Sequence, residues 1–207
     1  AFGGVTDGLL HYEIPLGCCA DGPSGIRMDC GTVAFAMPNG TCLACSFNEE
    51  LSEQLYEWEG LELRKNQIES LLGPGMNIHR NPLCGRNFEY YSEDPLVAGL
   101  TGGSEALGVQ SNKGVGVTFK HFAGNDQENS RNSQNDVVSE RAFREIYLKQ
   151  FEIIVKEAHP YTIMSSYNLL NGIHTSEHKE LLTGILRDEW GFDGLVTTDW
   201  WTFGEHY

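Results

Sequence analysis

Leu195-Val196-Thr197-Thr198-Asp199-Trp200-Trp201 is an extended, β-branched run that ends on a carboxylate beside two indoles. Gly191 and Gly194 bracket the turn that leads into it, and residues 181–190 before that turn carry helical apolar spacing. A helix, a glycine turn and a strand thus deliver Asp199 to a strand tip. Working outward, the same alternation recurs. Strands are expected at residues 18–20, 41–46, 70–77, 116–121, 162–167 and 195–199. Helices are expected over 49–65, behind Asn48 as cap, and over 95–109. The clearest spans 140–159, with Ser139 as cap, Phe143, Tyr147, Phe151, Ile154 and Ala158 on one face, and Pro160 as stop.

Strands alternating with helices predict a parallel sheet covered by helices, an α/β fold. A barrel and an open doubly wound sheet both satisfy that pattern. The strand ends favour the barrel: Asp21, Ser46, Asn77, Lys120-His121, Tyr167-Asn168 and Asp199 are polar or reactive. A (β/α)8 TIM-like barrel builds its site from the C-terminal ends of several strands, whereas an open sheet concentrates ligands at one switch point. Six expected strands leave the barrel incomplete by about two β/α units. No linker or repeat divides residues 1–207, so one barrel domain is expected.

Composition narrows the partners. Acidic residues outnumber basic ones, 29 against 14, for a formal net charge of −15. Nucleic acid and anionic membrane surfaces need clustered cations, which are absent, so neither is expected as a partner. No apolar run reaches the ~18 residues of a membrane span. No signal peptide opens the chain, although Ala1 reads as a cut that leaves an upstream leader open. The six cysteines (Cys18, Cys19, Cys30, Cys42, Cys45, Cys84) sit in a mid-sized domain and are expected as thiols in a bacterial cytoplasm. A secreted protein is the alternative, and Asn39-Gly40-Thr41 is then a glycosylation sequon. Cys42 and Cys45 are expected on a buried strand, with no second pair to complete a metal set, so no metal or cofactor is expected.

Four segments carry chemistry. A carboxylate such as Asp199 can attack an anomeric carbon, with a second carboxyl about 5–5.5 Å away to protonate the leaving oxygen. Trp200 offers a wall for a sugar ring. Lys120-His121-Phe122-Ala123-Gly124-Asn125, with Arg131 downstream, supplies cations that keep a nearby carboxylate ionised. Asp21-Gly22-Pro23-Ser24-Gly25-Ile26-Arg27 is a tight turn that presents a carboxylate and a guanidinium, a pair suited to vicinal hydroxyls. Residues 82–90 place Arg86 in a loop after the third strand, ahead of a helix start at 92–95. The acidic stretch 49–62 is expected to be the solvated face of its helix.

These segments together resemble glycoside hydrolase family 3, the β-glucosidase type. The likeness extends over essentially the whole chain, through residues 73–78, 84–90, 92–95, 120–125, 139–141, 166–168 and 188–194. It implies a retaining exo-β-glycosidase that cleaves terminal β-D-glucosyl residues. Asp199 matches the nucleophile of a Ser-Asp-Trp motif, with Thr198 in place of the serine. Trp200, Asp21, Arg27, Arg86, Lys120, His121, Arg131 and Tyr167 match positions around the sugar. Ala123-Gly124-Asn125-Asp126 replaces the Pro-Gly-His segment of the family's N-acetylglucosaminidases, so that branch is disfavoured. The resemblance also implies a partner α/β sandwich domain that supplies the acid/base Glu and is absent from these residues. Glu128 and Glu140 are the nearest carboxylates in sequence, and neither is nominated. A β-xylosidase or arabinofuranosidase of the same fold is the close alternative. A catalytically incomplete sugar-binding or assembly fragment is the alternative of another class, and a homo-oligomer is compatible with either.

Overall fold

The computed structural model describes residues 4–5, 7–28 and 30–202. In chain order, β1 (Gly4–Val5) is followed by a 3-10 segment (Asp7–Tyr12) and β2 (Gly17–Asp21). Two helices, α1 (Gly40–Ala44) and α2 (Glu49–Lys65), precede β3 (Ser70–Leu72). The long helix α3 (Pro95–Gln110) leads into β4 (Gly116–Phe122). After β5 (Asn135–Asp136) comes a helical stretch made of α4 (Glu140–Ala142), a π-type segment (Phe143–Tyr147) and α5 (Lys149–Ala158). The strands β6 (Thr162–Ser165), β7 (Leu169–Leu170) and β8 (Ile173–His174), a π-type helix (Glu180–Glu189) and β9 (Leu195–Thr198) complete it.

The main sheet has the order β1-β2-β3-β4-β6-β9. β1 is antiparallel to β2, and every later neighbour is parallel. The five parallel strands with helical crossovers are the α/β barrel arrangement, short of the eight strands that close one. Side-chain caps start α1, α2, α3 and α4. Asn48 accepts from the Leu51 N–H at 3.0 Å, and Asp94 accepts from the Leu96 N–H at 2.8 Å with Pro95 at the first helical position. Ser139 accepts from the Ala142 N–H at 3.3 Å, and His159 ends α5 in the left-handed region at φ 45°.

Helices α2 and α3 pack closely because glycines line their seam. A Cβ on Gly108 would stand 2.3 Å from the Glu53 carbonyl oxygen, and one on Gly60 would stand 2.4 Å from Asn112 Nδ2. Strand β4 is buried along its whole length. Phe119 and Phe122 lie on it, and Phe151 of α5 meets both rings, at centroid distances of 5.9 and 5.1 Å. A second, small sheet of β5, β7 and β8 anchors the loop that follows β4. In it, Asn168 Nδ2 donates to Asp136 Oδ2 at 2.7 Å.

Several expectations are corrected here. Residues 41–46 are not a strand: α1 occupies Gly40–Ala44, capped by the Asn39 side chain, which accepts from the Cys42 N–H at 2.8 Å. A local cap outweighs the β-leaning composition of so short a run, and Ser46 is therefore not a strand tip. Cys42 and Cys45 are exposed rather than buried. None of the six cysteines is joined in a disulfide. The buried face of α2 is Ser52, Tyr56, Glu59, Gly60 and Leu63, while Leu51, Trp58 and Leu61 face out.

The acidic stretch of α2 is thus not all solvated. Glu59 is fully buried, and burial, with the charge of Glu105 beside it, raises its carboxyl well above the ordinary range. Glu105, equally buried, is pushed up to about 8 by burial, against a hydrogen bond of 2.5 Å from Tyr91. Tyr56 donates to the Pro23 carbonyl, so this polar seam sits directly under the Asp21–Arg27 turn. The expected helix over 140–159 is interrupted by π-type turns, seen in the Leu148 N–H bond to Phe143 O at 2.8 Å. Its expected apolar face is otherwise packed as read, with Tyr147 half-buried.

Candidate active site

The C-terminal ends of β2, β4 and β9 and the loops after β3 and β4 surround one cleft of about 470 Å³. Asp21, Arg27, Arg86, Lys120, His121, Arg131, Asp199 and Trp200 all line it. Tyr167, after β6, borders the cleft instead of lining it. Its hydroxyl donates to the Trp200 carbonyl, and the Arg131 guanidinium lies over its ring at 4.5 Å. Parallel strands make this convergence. Neighbours in register end at one level, and the register pairs Asp21 with Leu72 and Ser165 with Thr198.

Asp199 is 7% exposed. Its Oδ1 accepts from the Trp200 N–H at 2.7 Å, and its Oδ2 lies 3.6 Å from His121 Nε2. Burial raises its carboxyl above the ordinary range, opposed by the Trp200 N–H, Arg86, Lys120 and the Tyr167 hydroxyl. The site thus holds a carboxylate that is desolvated and yet surrounded by cations and donors. His121 is driven the other way. Burial, then Arg86, Lys120 and Arg131, hold its ring well below the usual range. It is a neutral imidazole at physiological pH, not one of the cations that keep Asp199 ionised.

The cations are arranged in a ladder of alternating sign. Lys120 Nζ meets Asp21 Oδ1 at 2.5 Å and Glu89 Oε1 at 3.8 Å. Glu89 binds Arg86 in two bonds, at 2.8 and 3.0 Å. Arg86 Nε lies 3.8 Å from Glu128 Oε1, and Glu128 Oε2 pairs with Arg131 at 2.9 Å. Each cation is therefore oriented before any ligand arrives. Glu89, Phe88, Leu72, Met164 and Trp201 also line the cleft, and none of them is assigned a role by the sequence. Trp201 is visible as the second indole after Asp199, and Glu89 stands three residues after Arg86 on what proves to be one short 3-10 turn (Asn87–Glu89). Glu140 lies outside the cleft and pairs with Arg144 at 3.0 Å. Among the described residues no group of three or more potential metal ligands occurs, and no helix is long and apolar enough to cross a membrane.

The chain can be set beside known proteins on this geometry. The family model described as "Glycosyl hydrolase family 3 N terminal domain" matches residues 8–206. A β-glucosidase of Ruminococcus albus is 53% identical over 97% of this chain, and the chain covers 21% of that protein. An exo-alpha-(1->6)-L-arabinopyranosidase of Bifidobacterium longum is 46% identical over 93% of it, with 27% of that protein covered. Among solved structures, a β-glucosidase from Paenibacillus barengoltzii superposes with a TM-score of 0.92 at 55% identity, over 97% of this chain and 22% of that one. β-Glucosidase 3B from Thermotoga neapolitana, in complex with glucose, superposes with a TM-score of 0.90 at 47% identity, over 92% and 28%. The chain thus spans about a quarter of the length of these relatives. The match through nearly all of its residues, on a shared parallel α/β sheet, places the chain in glycoside hydrolase family 3, as that family's N-terminal domain.

Proposed function

We propose that the protein containing this chain is a retaining exo-β-glycosidase that releases terminal β-D-glucosyl residues through a covalent glycosyl-Asp199 intermediate. The observation that carries this reading is the desolvated Asp199 carboxylate, which faces a cleft walled by oriented cations and an indole. In the first step an Asp199 oxygen bonds to the anomeric carbon as the bond to the aglycone oxygen breaks, and an acid protonates that oxygen. Water then attacks the same carbon, Asp199 leaves, and the acid's conjugate base takes the water's proton. Asp21 accepts from sugar hydroxyls while Lys120, Arg86 and Arg131 donate. Trp200, 38% exposed, forms an apolar wall.

The other carboxylates lining the cleft, Asp21 and Glu89, are each ion-paired with a lysine or arginine. Each pair turns its carboxylate toward a cation of the cleft wall. The acid/base is assigned, as the family resemblance implies, to a partner segment, the α/β sandwich domain. A 2-fluoro-glucoside with a good leaving group should add one fluoroglucosyl mass to the peptide holding Asp199 in the full-length protein. Labelling elsewhere, or inversion at the anomeric carbon in the released sugar, defeats the reading.

A second reading has support in the relatives named for arabinopyranoside cleavage. A pentopyranose lacks the hydroxymethyl group of glucose, so the wall near Asp21 and Lys120 would decide between them. Chromogenic glucoside, xyloside and arabinopyranoside assayed side by side separate the two. Under either, Lys120→Met should lower kcat/KM at least tenfold, the scale of one lost charged hydrogen bond. It should also move the acid limb of its pH profile upward. Removing a cation favours the protonated form of Asp199, so the ionised nucleophile disappears at a higher pH on acidification.

A further inference from the structure

His121 is 2% exposed, and each of its ring nitrogens faces a polar group. Nε2 faces Asp199 Oδ2 at 3.6 Å and Nδ1 lies 2.9 Å from the Tyr90 hydroxyl. A neutral imidazole carries one proton, and which nitrogen holds it decides whether the ring offers the cleft a donor or a lone pair. The neighbours settle that choice by a chain of bonds with only one direction.

Glu128 turns both oxygens toward cations, Oε2 at 2.9 Å from Arg131 and Oε1 at 3.8 Å from Arg86, so those oxygens meet Asn125 as acceptors. Asn125 Nδ2 lies 2.9 Å from Glu128 Oε1 and 3.0 Å from Tyr90 Oη. The opposite orientation of that amide would set its carbonyl oxygen against the carboxylate, so the NH2 group faces Glu128. The second hydrogen of that NH2 group then goes to Tyr90 Oη. Among the described residues the only acceptor placed for the Tyr90 hydroxyl hydrogen is His121 Nδ1, so the hydroxyl that accepts from Asn125 donates to Nδ1. Nδ1 is therefore the lone pair and Nε2 the N–H. The backbone of His121 is clamped as well, by Asn77, whose Oδ1 accepts from its N–H at 2.9 Å and whose Nδ2 donates to its carbonyl at 3.0 Å.

We propose that Glu128, Asn125 and Tyr90 are positioning residues that fix His121 as its Nε2–H tautomer, so that its one ring proton is presented to Asp199 and to the sugar. The proposal rests on the glycosidase reading above for its consequence, though not for the tautomer itself. The reversed tautomer would aim a lone pair at the nucleophile and leave the sugar one donor short. The relay matters most once Asp199 is esterified, because a neutral ester no longer attracts the proton to Nε2. The groups that face the ring are Asp199, Lys120, Arg86, Arg131 and Tyr90.

Neutron diffraction from deuterium-exchanged crystals of the full-length protein reads the proton directly. Deuterium is expected on His121 Nε2 and not on Nδ1, with the Tyr90 hydroxyl deuterium pointing at Nδ1. Deuterium on Nδ1, or on both nitrogens, overturns the proposal. Full-length Asp199→Ala is the second map. The relay predicts that Nε2 keeps its deuterium without the carboxylate, and migration to Nδ1 would show that Asp199 sets the tautomer. In Tyr90→Phe, kcat/KM should fall roughly 10- to 100-fold, the scale of one lost hydrogen bond to a charged or developing charge. Unchanged kinetics in that variant count against the relay, and should it fail to fold, the two maps still decide. A protein with Nε2 deuterated but no glycosidase turnover would defeat the activity reading and leave the tautomer standing.

Discussion

Full-length Asp199→Ala is expected to lose roughly 10⁴-fold or more in kcat/KM on an aryl glucoside, about 5 kcal/mol or more at 1.36 kcal/mol per decade. The expectation follows from what the carboxylate is asked to do. It forms the bond to the anomeric carbon, and no neighbour can take its place. Among the carboxylates that line the cleft, Asp21 is committed to Lys120 and Glu89 to Arg86. Truncation also leaves a small void beside Trp200 in place of a nucleophile. Azide can enter such a space as a substitute. Attack by azide on the face Asp199 used would give a glucosyl azide of inverted configuration, measurable by NMR, together with recovered aglycone release. Near-normal turnover by the alanine variant, or azide rescue that gives the retained anomer, would remove Asp199 from the nucleophile's role.

Phe151→Ala is expected to destabilise the fold by about 3–5 kcal/mol, the usual range for deleting a buried phenylalanine. Phe151 is fully buried on α5 and packs against Phe119 and Phe122 at centroid distances of 5.9 and 5.1 Å. Those two rings flank Lys120 and His121 on β4, so the same deletion loosens the strand that presents both. A lower denaturant midpoint at unchanged slope is the expected signature, with a higher KM at temperatures where the variant stays folded. A midpoint within the error of the parent would show that the cluster is not the support of β4.

The sequence was most legible where one residue acts through its own backbone. Asn48 and Ser139 are caps where the side-chain chemistry placed them, and the helix expected from Pro95 does start there, capped by Asp94. Asp199 stands at the tip of β9, where an apolar run ends in a carboxylate. It was least legible where the partner is remote. Nothing in the spacing of α2 marks Glu59 as buried and Leu61 as exposed. That follows from which side of the helix meets α3, and the glycines of both helices set that seam. Residues 41–46 misled for a related reason, since a five-residue helix held by one Asn39 cap has too short a period to be seen.

The sequence by itself determined the class of fold, the strand ends that carry Asp21, Lys120-His121 and Asp199, and the identities of the charged residues, because periodicity and caps are local properties of the chain. Only the tertiary structure decided how those charges are spent. Lys120 and Asp21 are 99 residues apart and share a 2.5 Å contact, and His121 takes its electrostatic character from burial, with Arg86, Lys120 and Arg131 adding to it. A pKa, a tautomer or an ion ladder is a sum over neighbours in space, and the chain's order does not list those neighbours.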